Sequence, residues 1–201
     1  MIIRESLIKK LILVLGVACG LISIYFFGDK TLDNEWETMV YNLEENNILS
    51  SREINGELVP NIFMPPLYPI FLFTIKKLLF NSNFYLTIIL LIQLCLHISS
   101  AHILKKTLNL LFEEKYSYLG FLLFLFFPLN IYAVGQISSI NLQIFLLLFF
   151  IYNFIKIFKT NSKAPVVFFS IASGLLMLLR GEFFIFFIFK IIYLYLKKKI
   201  L

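Results

Sequence analysis

The sequence predicts an all-α fold: a polytopic transmembrane helical bundle of about six spans, with juxtamembrane helices on its outer face. Three observations lead there. Of 201 residues, 60% are hydrophobic and only 15% charged, whereas a soluble domain carries about 45–50% apolar and about 25% charged residues. A water-soluble globule is excluded, and so is a disordered chain. Apolar runs recur along the chain, with a mean hydropathy of +0.87. At roughly 20 residues per span, this length holds about six spans and one substantial loop. The polar residues, by contrast, are concentrated. Residues 29–64 hold eight of the twelve acids (Asp29, Asp33, Glu35, Glu37, Glu44, Glu45, Glu53 and Glu57) against only Lys30 and Arg52. The whole chain, 1–201, reads as a single transmembrane module.

The first span covers about 8–27. It follows Arg4, Lys9 and Lys10, a cytoplasmic flank, and no small-x-small cleavage site of a signal peptide follows it. Gly16-Val17-Ala18-Cys19-Gly20 has the small-xxx-small spacing that lets helices approach closely. Cys19 and Cys95 both lie in apolar runs, so no disulfide framework is implied.

The outer loop 28–83 comes next, long enough to carry function. Within it, 65–80 is apolar enough to suggest a span. If it crossed, with the N-terminus inside, Lys105, Lys106, Lys115, Lys156, Lys159, Lys163 and Lys197 to Lys199 would all fall outside, against the positive-inside rule. Laid flat on the outer face, with Lys76 and Lys77 toward water, it leaves all of those lysines inside. The remaining spans are then about 84–104, 116–134, 140–158, 165–179 and 183–196. Both termini are cytoplasmic, and the protein is a multi-pass protein of the inner (plasma) membrane. The net charge of +6 reads as a topology signal and not as nucleic-acid affinity.

This arrangement gathers three pieces on the outer face: loop 28–83, the turn 135–139 and the turn 180–182. Short connections hold neighbouring helices side by side, so the three pieces should meet. The turn after the fourth apolar run offers Gln136, Ser138, Ser139 and Asn141. Arg180 and Glu182 lie between two apolar runs, where charge is costly and by default suggests a site. The planar fork of Arg180 suits phosphate; equally, Arg180 could simply pair with Glu182 or anchor a helix end at the headgroups.

Four segments then appear in a telling order: Leu32-Asp33-Asn34-Glu35-Trp36 shortly after the first span, Met64-Pro65-Pro66-Leu67-Tyr68-Pro69, Phe127-Pro128-Leu129 leading into Gln136-Ile137-Ser138-Ser139-Ile140-Asn141, and Ser173-Gly174-Leu175 running to Leu179-Arg180. Together they resemble the N-terminal membrane module of the GT-C glycosyltransferases, especially the protein-mannosyltransferase-like and lipid A aminoarabinose-transferase-like enzymes. The resemblance implies transfer of a sugar from a polyprenyl-phosphate donor to a lipid, glycan or protein acceptor on the outer face, with inversion. It implies Asp33 as catalytic base or orienting group, and Glu35, Trp36, Tyr68, Ser139, Asn141, Arg180 and Glu182 as substrate-binding residues. The chemistry is reasonable in itself. An attacking hydroxyl needs a carboxylate within reach to take its proton, and the departing phosphate needs a cation. The sequence departs from the pattern in having Asn141 where an acid is expected and Gly181 where many relatives have Pro. It also corresponds to the first module only, as a fragment, a truncated form or a degenerate relative would, so that a partner chain could complete it.

Other motifs carry less. His97 and His102 are about 140° apart around a helix, so they do not form a two-histidine metal site. Asp33, Glu35 and Glu37 could bind a divalent cation, since hard cations prefer carboxylates; no resident metal site is assigned. No Gly-rich phosphate loop, Ser/His/Asp set or CxxC is present. Two other classes stay open. One is a non-catalytic membrane scaffold derived from such an enzyme. The other is a transporter subunit, disfavoured by the scarcity of intramembrane charges beyond Arg180 and Lys190.

Overall fold

The computed structural model describes residues 2–32, 34–60, 64–79, 84–160, 162–185 and 188, of which 2–6, 34 and 35 are described by their backbone. Among these residues the elements, in order, are α1 (Ile2–Phe27), α2 (Asn34–Glu45), β1 (Arg52–Ile54), β2 (Glu57–Val59), α3 (Leu67–Leu78), α4 (Tyr85–Asn109), α5 (Glu114–Leu125), α6 (Pro128–Val134), α7 (Ile140–Lys159) and α8 (Ala164–Leu179), followed by a 3₁₀ turn at Gly181–Phe183. Three helices are long and apolar enough to cross a membrane: α1 from Leu7, α4 and α7. Taken as one bent unit, α5 and α6 make a fourth.

That bent unit corrects the continuous span expected over 116–134. The axis turns by 51° between α5 and α6. The cause is Pro128, which opens α6. A proline disfavours helical geometry in the residue before it, and Phe127 is accordingly extended at φ −67°, ψ 120°. The break frees carbonyls at the end of α5, and polar side chains take them up. Asn130 Nδ2 donates to Phe124 O at 3.3 Å, and His97 Nε2 donates to Leu125 O at 3.1 Å. His97 also stacks on Phe124, which gives this buried imidazole a structural task.

Two further expectations are modified. The fold is not purely helical, because Arg52–Ile54 and Glu57–Val59 pair antiparallel. The two-residue turn between them is Asn55-Gly56, both at positive φ (54° and 83°), the conformation that matches strand twist and that Asn-Gly favours. The run 165–179 does form a helix, but α8 has 16 residues, about 24 Å at 1.5 Å per residue, short of the roughly 30 Å hydrocarbon core. Most of the expected span 183–196 lies outside the described residues.

The bundle is organised around α4, which packs against α1, α3, α5, α6 and α7. The helices alternate in direction. A Cβ on Gly28 would meet Leu90, and one on Gly20 would meet Leu94, so α1 and α4 run antiparallel. At one end of the bundle, Asp29 N donates to Gly135 O at 2.9 Å and Gln136 Nε2 donates to Phe27 O at 2.8 Å. At the opposite end, Lys159 Nζ donates to Leu110 O. The second and third helices, α2 and α3, belong to the first of these ends. The 12 residues of α3, about 18 Å long, are too few to cross. Its buried face, Tyr68, Leu72 and Ile75, joins Leu32, Val40, Ile89, Ile137, Leu179 and Phe183 in one apolar cluster. A side-chain ion pair, Lys76 to Glu44 at 2.5 Å, ties α3 to α2.

Candidate functional site

Three segments distant in sequence meet at the end of the bundle that carries loop 28–83. The start of that loop is pinned to the turn between α6 and α7. Asp29 Oδ2 accepts from Ile137 N at 2.6 Å, adding to the Asp29 N to Gly135 O bond. The turn can approach this closely because Gly135 has no side chain: a Cβ there would lie 3.2 Å from Ser23 O and 3.3 Å from Phe27 O. The C-terminal end of α8 joins them through Leu179 and Phe183, which share the apolar cluster of Tyr68.

The sequence-predicted residues fall into two groups around this junction. In the first, Trp36 and Tyr68 make an edge-to-face contact with centroids 5.1 Å apart, and Tyr68 stacks on Phe71. Tyr68 is 1% exposed, and its hydroxyl has no hydrogen-bond partner among the described residues. Burial pushes its pKa well above the ordinary tyrosine range, and the negative charge of Asp29 acts in the same direction. The phenol is therefore neutral at physiological pH and offers an unused donor. Arg180 and Glu182 flank the same cluster from α8, with Arg180 Nη1 3.3 Å from Glu182 Oε1 and both side chains well exposed.

The second group is Ser139 and Asn141. Both are buried. Asn141 Nδ2 donates to Gln93 Oε1 at 2.9 Å and to Ala133 O at 2.8 Å. Its amide nitrogen is committed to holding α7 to α4 and α6. Ser139 precedes the first turn of α7, and its carbonyl accepts from Gln143 N at 2.8 Å.

Asp33, the expected base, lies outside the described residues, and the side chain of Glu35 is likewise not described. Among the described residues, no group of three or more His, Cys, Asp or Glu is placed to hold a metal ion. The two histidines go to separate contacts: His102 packs on Phe121, while His97 serves the α5 break.

Sequence reasoning missed two residues of this region. Asp29 looks like one acid of many in a polar loop, yet it fixes the α6–α7 turn through both its backbone and its carboxylate. Gln93 is the second. A lone amide in the apolar run 84–104 is itself a signal, because an unpaired amide in such surroundings is costly. Its Nε2 and the hydroxyls of Ser23 and Ser138 are buried without partners among the described residues. A polar seam thus runs into the bundle beneath the junction. A comparison of the chain with protein-family models, with curated proteins and with solved structures finds no match in any of the three.

Proposed function

We propose that the chain is a polyprenyl-phosphate-sugar-dependent glycosyltransferase, or the N-terminal part of one, acting on the outer face of a membrane. In this reading it crosses six times, with both termini cytoplasmic and loop 28–83 outside. The observation that carries it is the convergence at one end of the bundle. There the acid-rich loop, the Trp36–Tyr68 aromatic pair on α2 and α3, and the Arg180–Glu182 turn after α8 surround one apolar cluster. A lipid-linked donor needs such a boundary, with apolar side chains for the tail and polar groups above it.

The proposed reaction is a single displacement at the anomeric carbon. The acceptor hydroxyl forms the new C–O bond as its proton passes to the Asp33 carboxylate. The bond between the sugar and the phosphate oxygen breaks, and the polyprenyl phosphate leaves with the electron pair. Arg180 would answer that growing charge after releasing Glu182, an exposed pairing of small cost. The neutral Tyr68 hydroxyl is a donor for a sugar or phosphate oxygen.

A second reading has its own support. The amide nitrogen of Asn141 is spent on Gln93 and Ala133, and Arg180 is paired, as in a non-catalytic scaffold. The Asp33→Asn substitution separates the two. In membranes carrying the protein, an enzyme loses transfer of sugar from polyprenyl-phosphate donors, the donor accumulates in lipid extracts read by mass spectrometry, and the protein level is unchanged. Transfer that survives refutes Asp33 as base. Donor levels indifferent to removal of the whole protein refute the enzyme and leave the scaffold.

A further inference from the structure

The opposite end of the bundle carries a feature that the proposed chemistry does not use. Helix α1 packs along α4 and α6, and it meets α5 at Gly16, opposite Leu125, and near Ile12. Toward their N-terminal ends the two helices part. The cleft between them has a volume of about 390 Å³ and is lined by Ile8, Lys9, Glu114, Lys115 and Tyr118. One wall residue is shared with a third helix: Lys105 of α4 places its ammonium 5.3 Å from the Tyr118 ring centroid.

The chemistry of the lining is that of a receptor for an anion on an apolar stem. Two lysines, Lys9 from α1 and Lys115 from α5, stand against the single carboxylate of Glu114 in the lining. Lys115 also pairs with Glu113 at 3.1 Å, but both side chains are largely exposed, and such a pair holds its lysine only weakly. The Tyr118 side chain forms part of the wall, with its hydroxyl buried and without a hydrogen-bond partner among the described residues. Beyond the charges, both helices turn apolar. Ile8, Leu11 and Leu15 recur at helical spacing on α1, as do Leu119 and Leu123 on α5 after Lys115, and all of these apolar side chains are exposed. A soluble anion would gain nothing from these stripes, whereas acyl chains would cover them.

We infer that this cleft seats the headgroup of an anionic glycerophospholipid of the bilayer, its phosphate held between Lys9 and Lys115 and its acyl chains along α1 and α5. The inference needs only that the chain lies in a membrane, and it is independent of any glycosyl transfer. Basic clefts between membrane helices bind lipid headgroups by this combination of charge and apolar wall.

Native mass spectrometry of the full chain, released from micelles containing equal amounts of phosphatidylglycerol and phosphatidylcholine, tests it. The wild type should retain one phosphatidylglycerol in preference to phosphatidylcholine. The exposed double substitution Lys9→Gln with Lys115→Gln should weaken retention about 25-fold, at roughly fivefold for each lysine near the surface. Lys156→Gln with Lys163→Gln, on α7 and before α8, should leave it unchanged. Equal retention of the two lipids by the wild type overturns the inference without any variant. An equal loss in the control pair overturns it by showing general charge attraction. Displacement of the lipid by millimolar glycerol 3-phosphate overturns it by showing a site for soluble phosphate.

Discussion

Replacing Asn141 by Ala removes a side chain that hydrogen-bonds from α7 to both α4 and α6. Asn141 and Gln93 are 2% and 1% exposed, so water does not replace the lost bonds. Ala133 O still accepts from Gln136 N at 3.2 Å and is not orphaned. The amide of Gln93 is, because its Nε2 already lacks a partner and its oxygen loses Asn141. A buried polar group left without a partner costs about 1–3 kcal/mol. The expected loss for Asn141→Ala is therefore about 2 kcal/mol, roughly a 30-fold rise in the unfolded fraction. Unfolding in mixed micelles by titration with a denaturing detergent, followed by circular dichroism, reads it. The direct bond is isolated by a double-mutant cycle with Gln93→Leu, where the coupling should be about 0.6 kcal/mol and at most about 1.7 kcal/mol, the range for hydrogen bonds between membrane helices. A variant as stable as wild type, together with zero coupling, refutes the structural role of this amide.

Two glycines should respond oppositely to the same change. A Cβ on Gly16 would lie 2.8–2.9 Å from three carbons of Leu125, whereas one on Gly174 meets nothing within 4 Å. Gly16→Ala should cost about 1–3 kcal/mol by overpacking α1 on α5, and Gly174→Ala should gain about 0.5–1 kcal/mol from helix propensity; thermal unfolding in detergent compares them. Tyr68→Phe removes a buried hydroxyl that has no partner, so stability at neutral pH should hold or rise. The folded-state pKa of Tyr68 lies above its unfolded value of about 10, so below pH 10 both states are protonated and no pH term arises. Above pH 10 the unfolded chain ionises first, and the wild type should lose up to about 1.4 kcal/mol of stability per pH unit from this group. Unfolding titrations between pH 9 and 11 should show that slope reduced in Tyr68→Phe, and equal slopes would refute the burial argument.

Much of the helical layout is legible in the residues. The apolar runs 8–27, 84–104 and 140–158 each coincide, to within a residue, with part of a helix long enough to cross a membrane, because exclusion from water acts on runs and needs no knowledge of neighbours. The break at Phe127-Pro128 was legible too, since a proline after an aromatic in mid-run is a local signal, but hydrophobicity averaged over 116–134 hides it. The Asn55-Gly56 turn was equally local and was obscured by the surrounding charges. The candidate site divides differently. The aromatic contact of Trp36 with Tyr68 and the bond of Asn141 to Gln93 join residues 32 and 48 positions apart, and nothing in either segment names its partner.

The sequence by itself determined that the chain is mostly helical, that its acids gather between the first two long apolar helices, and which apolar runs form the cores of those helices. These are consequences of local composition and backbone chemistry. Only the tertiary structure decided that Asp29 clamps the α6–α7 turn, that Asn141 serves the bundle through Gln93, and that α1 and α5 part around Lys9 and Lys115. Each of these depends on where helices cross, and helix crossings are set by the close approach at Gly16, Gly20 and Gly135 and by the bend at Pro128. A shift of one helix by a single turn would leave every local pattern intact and exchange the partners which that helix makes.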